Sequence, residues 1–288
     1  MEHRSFFSGP GLILLAAICF GFNPLFAQLL FAEGLGAEMV SLYRFILPAL
    51  LLSFCLRAPQ SEWPEVLRML AIGIANGAAI FCYFYALDTI PAATAILIYY
   101  TYPFFSVIVG WLVFKRRPTL NAFMSAALVL VAASLVIDPD SLSVESRLTV
   151  LACFLAPLVF ATQIQYLSKP LQKISITRRM AWGTLGHIVV LLPIAALQAP
   201  IELLPDSWIG IWAILGIALI AAALPQFLFL IGAPQTAPEI TAIVGSAELI
   251  VALLTGAVLL GEQLGRLEIT AMLLILIALC IRQTGEQN

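Results

Sequence analysis

Three ionisable side chains stand deep inside apolar runs of this sequence, where solute binding, proton transfer or a buried ion pair are the chemistries open to them. At 1.5 Å of helix rise per residue, Glu248 lies about 15 Å and Arg44 about 9 Å from the start of its own run. His187 lies at a comparable depth in a third run. If these runs cross a bilayer, each ionisable group costs a few kcal/mol unless it is paired or faces water. All three are therefore candidates for a functional site.

The three side chains have different competing explanations. Glu248 is too short to reach the interface from mid-membrane, which favours a position in a cavity, where it would bind a solute or a coupling ion. Arg44 takes part in coupling transport to an ion, or it forms a structural ion pair, or it extends its long side chain to the nearby interface. His187 relays a proton in the substrate site, or it hydrogen-bonds a neighbouring backbone carbonyl.

Tyrosines form a second cluster of residues with binding chemistry. Five of the seven lie close together in the sequence: Tyr83, Tyr85, Tyr99, Tyr100 and Tyr102. Tyr99 and Tyr102 are three residues apart, which would put both on one helix face as a wall for a ring-bearing amphipathic solute. Tyr83 is a further substrate-binding candidate, although it and Tyr85 lie near a helix end and also suit an interfacial belt. The polar groups expected beside this wall are Asn23, Gln163 and Ser246.

The elements that must position these side chains are long apolar helices. Of the 288 residues, 62 % are hydrophobic and 10 % are charged, and the mean hydropathy is +1.03, which excludes an ordinary soluble domain. Runs of about 20 apolar residues, each long enough to cross the hydrocarbon core, recur along the whole chain. The sequence predicts an all-α membrane protein with ten transmembrane helices, near residues 10–31, 38–57, 66–87, 91–114, 119–137, 146–167, 178–197, 207–231, 238–260 and 266–282.

The lysines and arginines predict the orientation of these helices. If the N-terminus is cytoplasmic, eleven of the 14 cationic residues fall on the cytoplasmic side, two fall on the other side, and Arg44 lies within a helix. Positive charge collects on the cytoplasmic side of membrane proteins. We therefore expect a multi-pass protein of a bacterial inner membrane with both termini in the cytoplasm.

An internal repeat predicts how the chain is divided. The pattern Ala-x-x-Thr-x-Pro-x-x-Thr-Ala-Ile occurs at residues 86–96 and again at residues 233–243, 147 residues later. At the same offset, Ser246 is the counterpart of Tyr99. Each copy lies between two predicted helices, with proline opening the second helix. Residues 1–142 and 143–288 would thus each form five helices, and an odd number makes the halves inverted, as in many secondary transporters.

Several short motifs give the chain a family resemblance. They are Arg44 in the second helix, Tyr85-Ala86-Leu87, Tyr102-Pro103-Phe104-Phe105, Glu248-Leu249-Ile250 and Leu260-Gly261-Glu262. With the repeat and the helix count, they resemble the EamA-type members of the drug/metabolite transporter superfamily over essentially the whole chain. Two departures are Lys115, where the family usually ends the fourth helix with an acid, and Phe20-Gly21 in place of Trp-Gly. The resemblance implies a cavity lined by helices one to four and six to nine, with helices five and ten at the periphery.

The function expected from these patterns is transport rather than catalysis. Within the superfamily, the chain is similar to bacterial amino-acid exporters, including those for aromatic amino acids. Efflux of drugs, purines or sugar derivatives on the same scaffold remains an alternative, and so does a channel. The sequence has no HExxH, GxSxG or Walker A motif and only two histidines, so an enzyme is not expected. We expect a small-molecule substrate and the lipid bilayer as partners, with no cofactor, metal or nucleic acid, and an open oligomeric state.

Overall fold

The structure is a computed structural model in which residues 8–90, 92–135, 144–169, 174–198, 204–259 and 265–283 are described. No strand occurs within these ranges. The predicted division between residues 142 and 143, and the motif residues Pro91, Gly261 and Glu262, lie outside them. The helices are α1 (Gly9–Phe20), α2 (Asn23–Ala32), α3 (Ala37–Leu52), α4 (Trp63–Thr89), α5 (Ala92–Tyr99), α6 (Tyr102–Leu112), α7 (Leu120–Ser134), α8 (Val144–Cys153), α9 (Leu155–Leu167), α10 (Ile176–Gln198), α11 (Trp208–Leu215), α12 (Leu224–Gly232), α13 (Pro238–Gly245), α14 (Glu248–Leu259) and α15 (Arg266–Gln283).

Eight helical segments of the described chain are long and apolar enough to cross a membrane. They correspond to eight of the ten predicted runs, and five of them contain two α-helices. The other two predicted runs, 119–137 and 266–282, contain the shorter apolar helices α7 and α15. The membrane-spanning class is thus confirmed, whereas the count of ten spans stays a prediction.

Proline accounts for three of the interruptions within membrane segments. Pro24 follows the break between α1 and α2, Pro157 the break between α8 and α9, and Pro103 the break between α5 and α6. A proline near the start of a helix leaves no amide hydrogen unsatisfied, but in the interior of a longer helix it removes a hydrogen bond. The chain therefore starts a new helix at each of these prolines.

The breaks in the two halves follow the sequence repeat. α5 ends before Tyr100 and Thr101, and α13 ends before Ser246 and Ala247, so Tyr100 and Ala247 are separated by the repeat spacing of 147 residues. In both breaks a hydroxyl hydrogen-bonds a carbonyl three residues earlier, from Thr101 to Ile98 at 2.7 Å and from Ser246 at 2.6 Å. A serine or threonine hydroxyl can satisfy a freed carbonyl in this way. The two copies of the repeat therefore each contain a helix that is broken at the corresponding position.

Glycines allow the long helices α4 and α10 to cross in direct backbone contact. A Cβ added at Gly73 would collide with the carbonyl oxygen of Gly183, and one added at Gly186 would collide with that of Leu70. At Gly77 the nearest atom, the His187 Cα, would be 3.1 Å away. Small residues at membrane helix interfaces allow this close approach. The crossing holds His187 at a fixed position beside α4.

Helices α7 and α15 lie at one side of the bundle and pack against each other. On α7, Phe123, Met124 and Val131 are exposed, while Ser125 and Ala126 are buried. The remaining helices surround a continuous core whose largest fully buried side chains include Tyr100, Tyr102 and Phe84. The centre of that core contains the cavity in which the candidate site lies.

Candidate functional site

A cavity at the centre of the bundle collects most of the candidate residues. All eight membrane-spanning segments contribute to its lining, and none of the described residues of α7 or α15 does, as the family resemblance implies. Its volume is about 50 Å³, room for a few water molecules. The lining residues are Phe20, Asn23, Arg44, Phe45, Asn76, Ile80, Tyr83, Phe84, Tyr99, Ala156, Phe160, Gln163, Leu167, His187, Ala222, Gln226, Phe229, Leu230 and Glu248.

Arg44 points into this cavity from the middle of α3. Its Nη1 donates a hydrogen bond to Oδ1 of Asn23, the first residue of α2. The guanidinium carbon lies 5.8, 5.5 and 5.9 Å from the ring centroids of Phe20, Phe45 and Phe84. Within the described chain, Nε has no hydrogen-bond partner and the side chain forms no ion pair. Arg44 is 93 % buried and faces the cavity, so its side chain does not extend to the membrane interface, which was the alternative explanation.

Glu248 enters the cavity from the opposite half of the chain. It is the first residue of α14, directly after the break at Ser246 and Ala247, and its exposed fraction is 5 %. A carboxylate is favoured at a helix N-terminus, where amide hydrogens are left without helical partners. Among the described residues no direct ion pair joins Glu248 to Arg44, so the cavity contains an acidic and a basic side chain that are not paired directly with each other.

His187 forms the backbone hydrogen bond that was one of its two competing explanations, and it also lines the cavity. Its Nδ1 lies 2.7 Å from the carbonyl oxygen of Gly183, one turn earlier in α10, and must therefore donate the hydrogen bond. The imidazole stacks on Phe45 with ring centroids 3.9 Å apart and planes 21° apart. In the described chain, Nε2 has no partner. The ring is thus oriented by backbone and aromatic contacts, with its second nitrogen left for a ligand.

An aromatic wall lies on one side of the cavity. The Tyr99 ring is 5.1 Å from Tyr83 and 5.8 Å from Phe160, with Tyr99 and Phe160 stacked at 28°. Phe229 continues the wall, 5.8 Å from Phe160. Stacked and tilted ring pairs at these distances favour further ring contacts. Tyr83 thus faces the cavity, whereas Tyr85 is 40 % exposed on the outside of the bundle.

Tyr102 and Ser246 do not line the cavity, in contrast to the prediction. Tyr102 is fully buried, with its ring 4.9 Å from Phe160 and 5.6 Å from Tyr99, so it supports the wall from behind. The shared face expected from its spacing to Tyr99 assumed one continuous helix, and the break at Tyr100 and Thr101 removes that register. Ser246 is buried and directs its hydroxyl to the carbonyl of Ile243, where it satisfies the helix break.

Two polar lining residues were missed by the sequence analysis. Asn76 of α4 and Gln226 of α12 are amides in otherwise apolar helices, and both line the cavity with the predicted amide Gln163. Gln163 Oε1 is buried without a hydrogen-bond partner within the described ranges. The signal that would have revealed them is the isolation of each amide in its apolar run, because a buried amide without a partner is costly in hydrocarbon.

A charged network closes one end of the bundle. Glu65, near the start of α4, accepts hydrogen bonds from Arg179 at 3.0 Å and from the Tyr166 hydroxyl at 2.6 Å. Arg178 forms a second ion pair with Glu62. The network joins the start of α4 and the start of α10 to the end of α9, next to the cavity residue Leu167. It therefore ties together three of the helices that surround the candidate site.

Comparison with known proteins gives two findings. The EamA-like transporter family matches the chain twice, over residues 7–138 and 147–282. Among solved structures, one described only as "Crystal structure of protein" has a TM-score of 0.75 and 15 % sequence identity, and the match covers 96 % of each chain. At this identity the likeness shows the fold alone. No curated protein matches the sequence.

Proposed function

Because the chain belongs to the EamA-like transporter family, we propose that it exports small amphipathic metabolites, namely amino acids with apolar or aromatic side chains. The substrate binds in the central cavity, which opens alternately to the two sides of the membrane.

The observation that carries the substrate class is that an acidic and a basic side chain share one aromatic cavity without forming an ion pair. Glu248 offers a carboxylate to an ammonium group, and Arg44, oriented by Asn23, offers a guanidinium to a carboxylate. An amino acid carries both of these groups on one carbon. The rings of Tyr99 and Phe160 then contact an apolar or aromatic side chain. A neutral sugar derivative or a purine would leave at least one of the two buried charges without a partner.

The small volume of the cavity supports a mechanism with a change of shape. A cavity of about 50 Å³ does not accommodate an amino acid, so its walls must separate before the substrate enters. The broken helices place their junctions beside the cavity, since Tyr99 and Glu248 both adjoin a break. In alternating access, one half of the transporter moves against the other around a site at mid-membrane.

The proposed membrane arrangement completes the mechanism. Ten spans in two inverted halves, residues 1–142 and 143–288, would place both termini in the cytoplasm of a bacterial cell, with the protein in the inner membrane. The charge distribution of the sequence supports this orientation. Export then moves the substrate from the side that carries most of the cationic residues to the other side.

The direct test is transport by the purified protein in liposomes. Radiolabelled phenylalanine, tryptophan, leucine, threonine, a purine and a sugar phosphate would be offered in turn, with protein-free liposomes as the background. We expect saturable uptake of the apolar and aromatic amino acids, accelerated by unlabelled substrate on the opposite side. Uptake of the purine or sugar phosphate alone would replace the substrate assignment. Uptake without saturation or counterflow would indicate a channel.

A further inference from the structure

A second cavity lies on the outside of the bundle, between α6 and α7. Its volume is about 730 Å³, and its walls are almost entirely apolar. Two of its aromatic side chains, Trp111 and Phe123, are more than half exposed. The residues that line this outer groove are Phe104, Val107, Ile108, Trp111, Arg117, Pro118 and Phe123.

One end of the outer groove is cationic. Arg117 is the charged residue of its lining, and Lys115 and Arg116 precede it directly. Lys169 lies nearby, with its ammonium 4.9 Å from the ring of Phe114. Within the described residues, none of these four cations forms an ion pair, and Arg116 only reaches the Gln165 amide at 3.5 Å. An apolar groove thus ends at a group of uncompensated positive charges.

The turn that carries these charges is unfavourable for a lysine. Lys115 adopts a φ of 58°, the only positive φ of a non-glycine residue in the described chain, at a position where glycine is the usual helix-ending residue. At the repeat spacing of 147 residues, its counterpart in the second half is the acidic Glu262, which follows a glycine. The chain therefore places a cation at a strained position, where the repeat in the second half has an acid in the sequence.

We propose that the outer groove is a binding site for an anionic phospholipid, with one acyl chain in the groove and the phosphate at Arg117. The apolar walls match a hydrocarbon chain, which a soluble anion lacks. Arginine binds phosphate oxygens through two parallel hydrogen bonds, and basic pockets between membrane helices recognise anionic headgroups. The turn at Lys115 holds the chain so that all three consecutive cations stand at the level where α6 ends and lipid headgroups begin.

Thermal unfolding of the purified full-length protein in detergent tests this site, because a ligand that binds the folded state raises the unfolding temperature. We expect dioleoylphosphatidylglycerol to stabilise the protein in a saturable manner, and dioleoylphosphatidylcholine to do so much less. Arg117→Gln should raise the apparent dissociation constant for phosphatidylglycerol about fivefold, as expected for one cation near a charged lipid surface. The matched control is Arg57→Gln, which removes another exposed cation far from the groove in the sequence.

A second pair of variants tests the apolar part of the outer groove. Ile108→Trp fills it, whereas Leu130→Trp places the same ring on an exposed position of α7 outside the lining. Only Ile108→Trp should weaken phosphatidylglycerol binding. Equal stabilisation by both lipids, equal effects of Arg117→Gln and Arg57→Gln, or full competition by glycerol 3-phosphate would overturn the proposal. So would a dimer in native mass spectra that Ile108→Trp dissociates, because the groove would then be a contact between two copies.

Discussion

Arg179 of α10 donates from Nη2 to Oε1 of Glu65 on α4, at 3.0 Å and with both side chains at least 94 % buried. The Tyr166 hydroxyl of α9 occupies the other oxygen of the same carboxylate. Three membrane-spanning helices are thus joined through one carboxylate. A buried charge that loses its partner is costly, so the contribution of this ion pair to the stability of the fold can be measured.

Replacing Arg179 by leucine should therefore lower the unfolding free energy by about 3–5 kcal/mol, because the buried Glu65 then keeps, among the described residues, only the exposed Arg68, 3.7 Å away, as a cationic partner. The control is Arg178→Leu, whose ion pair with Glu62 is more exposed and should cost less than about 1 kcal/mol. Urea unfolding in mixed micelles measures both values. Similar losses for the two variants would contradict a special role of the buried pair.

Replacing Glu248 by glutamine should abolish transport while leaving the protein folded. The amide keeps the size of the side chain but removes the charge offered to an ammonium group. The measurements are substrate uptake into liposomes and the unfolding temperature of the same preparation. Gln163→Glu is not a substitute test, since it adds a charge instead of removing one. Wild-type uptake by Glu248→Gln would assign Glu248 a structural role.

Replacing Tyr99 by alanine should change selectivity rather than transport as such. Loss of the ring removes about 1–3 kcal/mol of contact, so the half-saturation concentration for phenylalanine or tryptophan should rise about tenfold. Threonine reaches the wall less and should be affected little. The quantity to measure is the ratio of these two changes.

Two other tyrosines serve as controls for this ratio. Tyr85→Ala removes a ring from the outside of the bundle, and Tyr102→Phe removes only a hydroxyl behind the wall. Neither should alter the preference for aromatic substrates. If Tyr85→Ala shifts the ratio as much as Tyr99→Ala does, the assignment of the wall fails.

The orientation can be tested by labelling with a membrane-impermeant thiol reagent. In a variant without the five native cysteines, Thr177→Cys at the start of α10 should react only after the membrane is permeabilised. Asp206→Cys, which precedes α11, should react in intact cells. Both positions are exposed. Reversed labelling would invert the orientation, and labelling of both in intact cells would contradict the crossing of the membrane by α10.

The glycine crossing of α4 and α10 supplies a matched pair of variants. A methyl group at Gly186 would meet backbone atoms of α4, including Ile74 N at 2.7 Å, whereas the nearest atom at Gly183 is a flexible Met69 side-chain carbon at 3.6 Å. Gly186→Ala should therefore destabilise the protein by about 1–3 kcal/mol through overpacking, and Gly183→Ala should be nearly neutral. Unfolding temperatures of the two variants give the comparison. Equal behaviour would mean that the helices can separate without cost.

Much of the architecture could be predicted from the sequence, because hydropathy, proline positions and the repeat are local signals. The repeat at residues 86–96 and 233–243 anticipated two junctions between helices, and the broken helices α5–α6 and α13–α14 follow the same spacing. Arg44, His187 and Glu248 could be identified as candidates because they lie deep inside apolar runs of the sequence, and all three line the cavity.

What could not be predicted depends on rotation and on partners distant in sequence. A break of two residues turns Tyr102 away from the face of Tyr99, and no sequence spacing reports the size of that turn. Arg179 was counted only among the cytoplasmic cations, because its pairing with Glu65, 114 residues earlier, requires the packing of α4 on α10. Asn76 and Gln226 were overlooked because a single amide hardly changes the hydropathy of its run.

The packing of α7 against α15, away from the cavity, divides the chain into parts under different evolutionary constraint. A change of substrate requires substitutions among the eight membrane-spanning segments that line the cavity, while α7 and α15 must remain helical, apolar and matched to each other, and α7 must also keep its side of the outer groove. We therefore expect that a substitution in one of these two helices is compensated by a substitution in the other. In a lineage that acquires new substrates, we expect the fastest divergence among the residues that line the cavity. We expect the strongest pairwise covariation between α7 and α15.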